Sequence, residues 1–375
     1  MSDFAVYAPG GARLGLLECW DSIQWLEHYA DAGEVKAVAQ ATPQNIELTQ
    51  PGNRIYNPET GTAATIVAQK IEDTGRSASV TVRAVTGAGR LQDRVNMGTI
   101  RAADAQTAMR STVENNLRGL PMDMEPPRDV AVKINTQASW GTVLDALKSF
   151  AKASGLGFGC SFDPSTGREA FGVRLGVDRT QGAAYNGYFG DDIANISDIR
   201  LARSTSDHKN VAVVAGQGKG AARTLVVVHG LFVGAGDDRR ELWVDAKDIQ
   251  TSYQVAVDTG QTDAGGSPVY EYRTVQYTPE EYQSILTARG LEKLAEHGTE
   301  LTLDCQAQDG GTLTYGVDYG LGDVLPIKIT RYGVMAVARV TGIRLIYEAG
   351  GRQVQPILSD FNVKAAKAAF DAEMR

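Results

Sequence analysis

The stretch Val317–Leu358, VDYGLGDVLPIKITRYGVMAVARVTGIRLIYEAGGRQVQPIL, decides the fold class. Val317 and Tyr319 lead into a turn at Gly320-Leu321-Gly322-Asp323, and Val324 to Ile327 lead out of it. From Val334 to Leu345 β-branched and apolar residues dominate, and Ala349-Gly350-Gly351 sets a hairpin before Val354 and Ile357. Four or five short strands joined in this way predict a small barrel or half-barrel.

A looser version of the same plan lies near the other end. Ile46-Glu47-Leu48 precedes a Pro51-Gly52-Asn53 turn, Ile55-Tyr56 follows, and Thr65-Ile66-Val67 runs on to Lys70-Ile71-Glu72. Gly75-Arg76 then turns the chain into Ser79-Val80-Thr81-Val82. The spacings differ, so two readings stand: a repeated module, or two unrelated antiparallel meanders. A true repeat would give one chain two similar β modules, as a three-chain ring with quasi-sixfold symmetry needs.

Between these ends the signals are helical. Asp104 is placed to cap a helix whose Ala105, Ala108, Met109, Thr112, Val113 and Leu117 share a face, closed by Gly119. Three prolines in Pro121–Arg128 predict an irregular linker. Ser139 is the expected cap of a second helix carrying Val143, Leu144, Leu147, Phe150 and Ala151, stopped by Gly155. A hairpin over Gly157–Val177 follows, turning at Asp163–Gly167. In the segment Leu16–Val38, Trp20, Trp25 and Tyr29 fit either a short helix face or strand anchors.

After Ile196 the chain returns to strands at Asn210–Val214, Arg223–Val228 and Glu241–Asp245. Thr259–Pro268 reads as an exposed insertion loop. Thr278, Pro279, Glu280 and Glu281 open the strongest local helix, which closes near His297-Gly298. Asn362 is the expected cap of a last alanine-rich helix with Val363, Ala366 and Phe370 on one side. The expected class is therefore α+β, mainly β: two small β-barrel-like modules with an intervening α+β domain. The expected divisions are a first β-barrel module over 1–98 and a middle α+β domain over 99–195. A second β-rich module over 196–358 carries the helix at 279–297 and the loop near 259–268, and a helical tail occupies 359–375.

Composition narrows the function classes. The 375 residues are 43% hydrophobic and 22% charged, an ordinary globular balance that can bury a sizeable core. The net charge of −8 argues against a nucleic-acid groove, which is usually basic, and is compatible with a channel a polyanion slides through. Cys19, Cys160 and Cys305 form no CxxC pair, so neither a disulfide framework nor a zinc site is indicated. No basic-then-apolar leader opens the sequence, and the apolar run Thr224–Gly234 is too short to span a bilayer.

Catalytic signals are weak. In Gly216-Gln217-Gly218-Lys219-Gly220 the glycines join two strands rather than a strand and a helix, so a hairpin turn explains them better than a phosphate loop. His28, His208, His229 and His297 have no metal-ligand spacing. The doublets Asp191-Asp192 and Asp237-Asp238 have the residue types of a hydrolase acid and base or a calcium site. Their neighbours Gly190 and Gly236 instead favour solvated turns. Arg239 and Arg240 beside Glu241 read as structural or interface charges. No catalytic residue, cofactor or metal is expected.

Several strings, taken in order, are similar to the hub or tail-tip proteins of siphoviruses. The segment LLECWDSIQWLEHYADAGEVKAV from Leu16 and Thr65–Glu72 resemble that family's first barrel. Ser149–Asp163, SFAKASGLGFGCSFD, resembles its middle domain, and Gly176–Thr180 its GxDRT element. Asn210–Arg223 resembles an NVxxVxGxGxGxxR hairpin, Arg239–Ala246 an RxExxVDA element, and Leu321–Val324 an LGDxV element. The resemblance runs from about residue 16 to 358; the insertion at 259–268 and the tail after Asp360 depart from it. It implies a relative of the baseplate hub of contractile-tailed phages. Such a hub is a homotrimer at the virion tail tip, joining the sixfold tail tube and distal tail protein to a threefold tip. It also implies a lumen for DNA and the tape-measure protein, and attachment of tip fibre or receptor-binding proteins. The competing expectations are a cell-wall or glycan hydrolase using Asp191 or Asp237, and a glycan-binding module stacking sugars on Trp243, Tyr270 and Tyr272.

Overall fold

The computed structural model describes residues 3–101, 104–134, 137–185, 187–230, 236–262, 268–298, 300–307 and 312–362. It resolves into two compact units, one formed by 1–201 with 302–375 and the other by 202–301.

The first unit begins with strands β1 (Ala5–Tyr7), β2 (Arg13–Leu16), β3 (Trp20–His28) and β4 (Glu34–Gln40). A short helix α1 (Pro43–Leu48) follows, then β5 (Arg54–Asn57), β6 (Thr62–Asp73) and β7 (Ala78–Thr86). Helix α1 replaces the strand expected at Ile46–Leu48. Thr42 Oγ1 accepts from the Asn45 N–H at 3.1 Å, and Pro43 supplies a pre-set first helical φ, which outweighs the short apolar run. Trp25 is fully buried on β3 and Trp20 opens the same strand, so both are strand anchors, whereas Tyr29 follows the strand.

The middle of this unit holds β8 (Thr99–Arg101), α2 (Ala105–Glu114), β9 (Met122–Met124), β10 (Gln137–Ser139), α3 (Val143–Ser154), β11 (Gly157–Asp163) and β12 (Arg168–Arg174). Asp104 caps α2 as expected, accepting from the Thr107 N–H at 2.8 Å, but the helix ends at Asn115, four residues before Gly119. The proline-rich linker is not wholly irregular, because β9 pairs in parallel with β12. The cap of α3 is Thr142, not Ser139. Ser139 belongs to β10, and Trp140 and Gly141 adopt left-handed φ of 58° and 77° before the helix can start. Met109, Val113, Leu147, Phe150, Phe158 and Phe171 form the core of this part.

The chain then passes through β13 (Phe189–Gly190) and β14 (Ile196–Ser204) into the second unit. That unit contains β15 (Val211–Ala215), β16 (Leu225–His229), β17 (Glu241–Asp245), the ribbon strands β18 (Ser252–Thr262) and β19 (Pro268–Gln276), and helix α4 (Pro279–Glu296). Thr278 and Glu281 form a reciprocal capping box at the start of α4, as the local signals predict. Tyr282, Leu286 and Leu294 of α4 bury against Ala212, Val214, Val228 and Val244 of the three-stranded sheet β16-β15-β17. Gly290 permits the close approach, since a Cβ there would strike Val214 and Val228.

Back in the first unit come β20 (Glu300–Ala307), β21 (Val324–Ile329), β22 (Val334–Glu348) and β23 (Gly351–Asn362). Val317–Tyr319 forms a turn with a Tyr315–Tyr319 bridge rather than a strand. Asn362 is the last residue of β23; the helix expected after it, with Val363, Ala366 and Phe370, lies outside the described residues, as do residues 263–267 of the expected insertion loop.

The class is α+β and mainly β, as expected. Both strand-rich ends share one sheet, ordered β14-β20-β23-β22-β3-β4-β7-β6-β5-β1-β2 with β21 and β13 attached at β22. The joint is the antiparallel β3–β22 pair, in register from Ser22↔Glu348 to His28↔Gly342. Among the described residues the pairings trace an open path, so no closed barrel forms. Trp25, Ile66, Val82, Leu325, Ile327 and Leu345 belong to a single core, so residues more than 300 positions apart in sequence are buried together.

Candidate functional site

Four of the elements singled out from the sequence turn out to be structural clamps, in two pairs. Gly176–Thr180 and Leu321–Val324 bind one another. The Asp323 carboxylate accepts from the Val177 N–H at 2.8 Å, the Gly320 N–H at 2.9 Å and Arg179 Nε at 2.5 Å. Its side chain is buried, so the ion pair and the two amides jointly offset its desolvation. Gly322 has φ of 94° and lies against the Tyr29 ring, where a side chain would collide. Gly176 in turn packs on the Gly322 carbonyl.

Tyr29 links this clamp to the middle of the unit. Its hydroxyl lies 3.2 Å from the carbonyl oxygens of Gly155 and Arg174 and accepts from the Gly176 N–H at 3.0 Å. The Arg339 guanidinium sits 5.3 Å above the Tyr29 ring and donates to the Gly322 carbonyl at 2.8 Å. Around them His28, Tyr29, Asp31, Lys148, Lys152 and Arg339 help to line a cleft of about 410 Å³. Two of its charges neutralise one another, Lys148 bonding Asp31 at 2.6 Å. Burial holds the His28 imidazole below its ordinary pKa, against the opposing pull of Asp31 and Glu34. Deeper in, Glu125 is partly buried, which works against its charge. Hydrogen bonds from Arg174 at 2.6 and 2.9 Å and from Ser161 at 2.8 Å nevertheless keep its carboxyl below the usual range.

In the second unit the Asn210–Arg223 hairpin and the Arg239–Ala246 element are likewise partners. Asn210 Nδ2 donates to the Asp238 carbonyl at 2.7 Å, and Asn210 Oδ1 accepts from the Arg240 N–H at 2.9 Å. Arg223 pairs with Asp245, donates to the carbonyls of Ala215 and Gly216, and stacks over Trp243. Gly216–Gly220 joins β15 to β16, both of them strands, so the loop does not lead from a strand into an α-helix as a phosphate loop does.

The acidic doublets are turn residues. Asp191 accepts from the N–H groups of Thr330 and Arg331 at 2.7 and 3.1 Å, and Asp192 bonds Lys328 at 2.6 Å. Those bonds hold both carboxyls below the usual range, the opposite of what a general acid requires. Asp237 and Asp238 are exposed in a single turn of 3-10 helix. His297 Nδ1 is 2.7 Å from Asp207, and among the described residues no group of three or more His, Cys, Asp and Glu could hold a metal. Trp243 is exposed; the side chains of Tyr270 and Tyr272 lie outside the described set. No helix of the described residues is long and apolar enough to cross a membrane.

The sequence reading did not single out Val95, Met97 and Trp140. They are exposed large apolar residues on neighbouring backbone segments, and the only signal was the Trp140-Gly141 pair in front of α3.

The fold is shared with solved phage tail proteins of low sequence identity. A tail protein from Neisseria meningitidis MC58 superposes with a TM-score of 0.56 at 14% identity, covering 98% of this chain and 99% of that one. The 43 kDa tail protein of prophage MuSo2 from Shewanella oneidensis gives 0.56 at 11% identity, covering 95% and 98%. Prophage tail protein gp18 from Listeria monocytogenes EGD-e gives 0.50 at 11% identity, covering 98% and 97%. No curated protein matches the chain in sequence. The chain belongs to the siphovirus ReqiPepy6 Gp37-like protein family, whose model matches residues 3–358.

Proposed function

We propose that this tail protein is a non-enzymatic, trimeric hub at the virion tail tip. It joins the sixfold tail tube and distal tail protein to a threefold tip and encloses a lumen for DNA and the tape-measure protein. The observation that carries the reading is the β3–β22 joint, which welds the strands of 1–98 to those of 302–358 in one sheet. A chain that offers two strand-rich modules supplies six modules from three copies, the arrangement a threefold-to-sixfold adaptor needs. In this reading the strand-rich modules are 1–98 and 196–358, and the middle domain is 99–195. The net charge of −8 suits a conduit through which DNA passes without sticking.

The test is reconstitution with the distal tail protein and imaging of the product. A ring with three copies of this chain stacked on a sixfold ring is expected. Absence of binding to the distal tail protein, or labelling of the chain along the tail shaft instead of the tip, would refute the proposal.

A further inference from the structure

We draw no further inference here: the strongest candidate, the face of the β16-β15-β17 sheet turned away from α4, where Val227, Val213 and Trp243 stand in one row across the three strands and Val227 and Trp243 are exposed, carries nothing because nothing in the structure shows what covers it.

Discussion

Asp323 shows how a short sequence element acts through a distant one. Its partner Arg179 is 144 positions away, and the carboxylate also satisfies two backbone N–H groups in a buried turn. Asp323→Ala should cost about 2–4 kcal/mol in denaturant unfolding, because it strands a partly buried guanidinium and two amides. A loss below about 1 kcal/mol would mean that the clamp is ornamental to stability. His28 gives a pH signature. Its folded pKa is depressed, chiefly by burial, so the folded chain takes up this proton less readily than the unfolded one. Its contribution is fully present above the ordinary value of 6.5 and is lost as pH falls below that value. Melting temperature should therefore drop more between about pH 7.5 and 5.5 for wild type than for His28→Gln. Equal slopes would contradict the assignment.

Among the elements, those with complete local signals were legible in the sequence. Helix α4 carries a cap, a proline at its first position and two glutamates in its first turn, and it forms where those signals place it. Thr278→Ala should lower stability by about 1 kcal/mol, read by thermal or urea unfolding of the second unit. The β22–β23 hairpin was equally plain from Ala349–Gly351. Signals that compete were read less well. Ile46–Leu48 has strand-like residues, yet the Thr42-Pro43 start makes it helical. Ser139 is a good cap by residue type, but Trp140 and Gly141 in left-handed conformations postpone α3 to Thr142. Which element pairs with which was beyond reach. Nothing local to Gly176–Thr180 announces Asp323, and nothing local to Trp20–His28 announces β22. The exposed apolar residues Val95, Met97 and Trp140 were missed for the same reason, because their segments meet only through long-range backbone pairing.

For the molecule entire, the inserted 202–301 unit has its own core, built on Leu286, Tyr282 and the β15 valines, separate from the core that unites both ends of the chain. Separate cores predict separable unfolding. Leu286→Ala should lower one calorimetric transition by the ~2–5 kcal/mol of a large-to-small core change and leave the other in place. A single transition shifted as a whole would show the two units to be one cooperative body. The central claim concerns assembly, and it is tested most directly by the mass of the purified chain in light scattering across a wide concentration range. A stable species of three chains is the predicted result. A single-chain mass at every concentration would contradict the account.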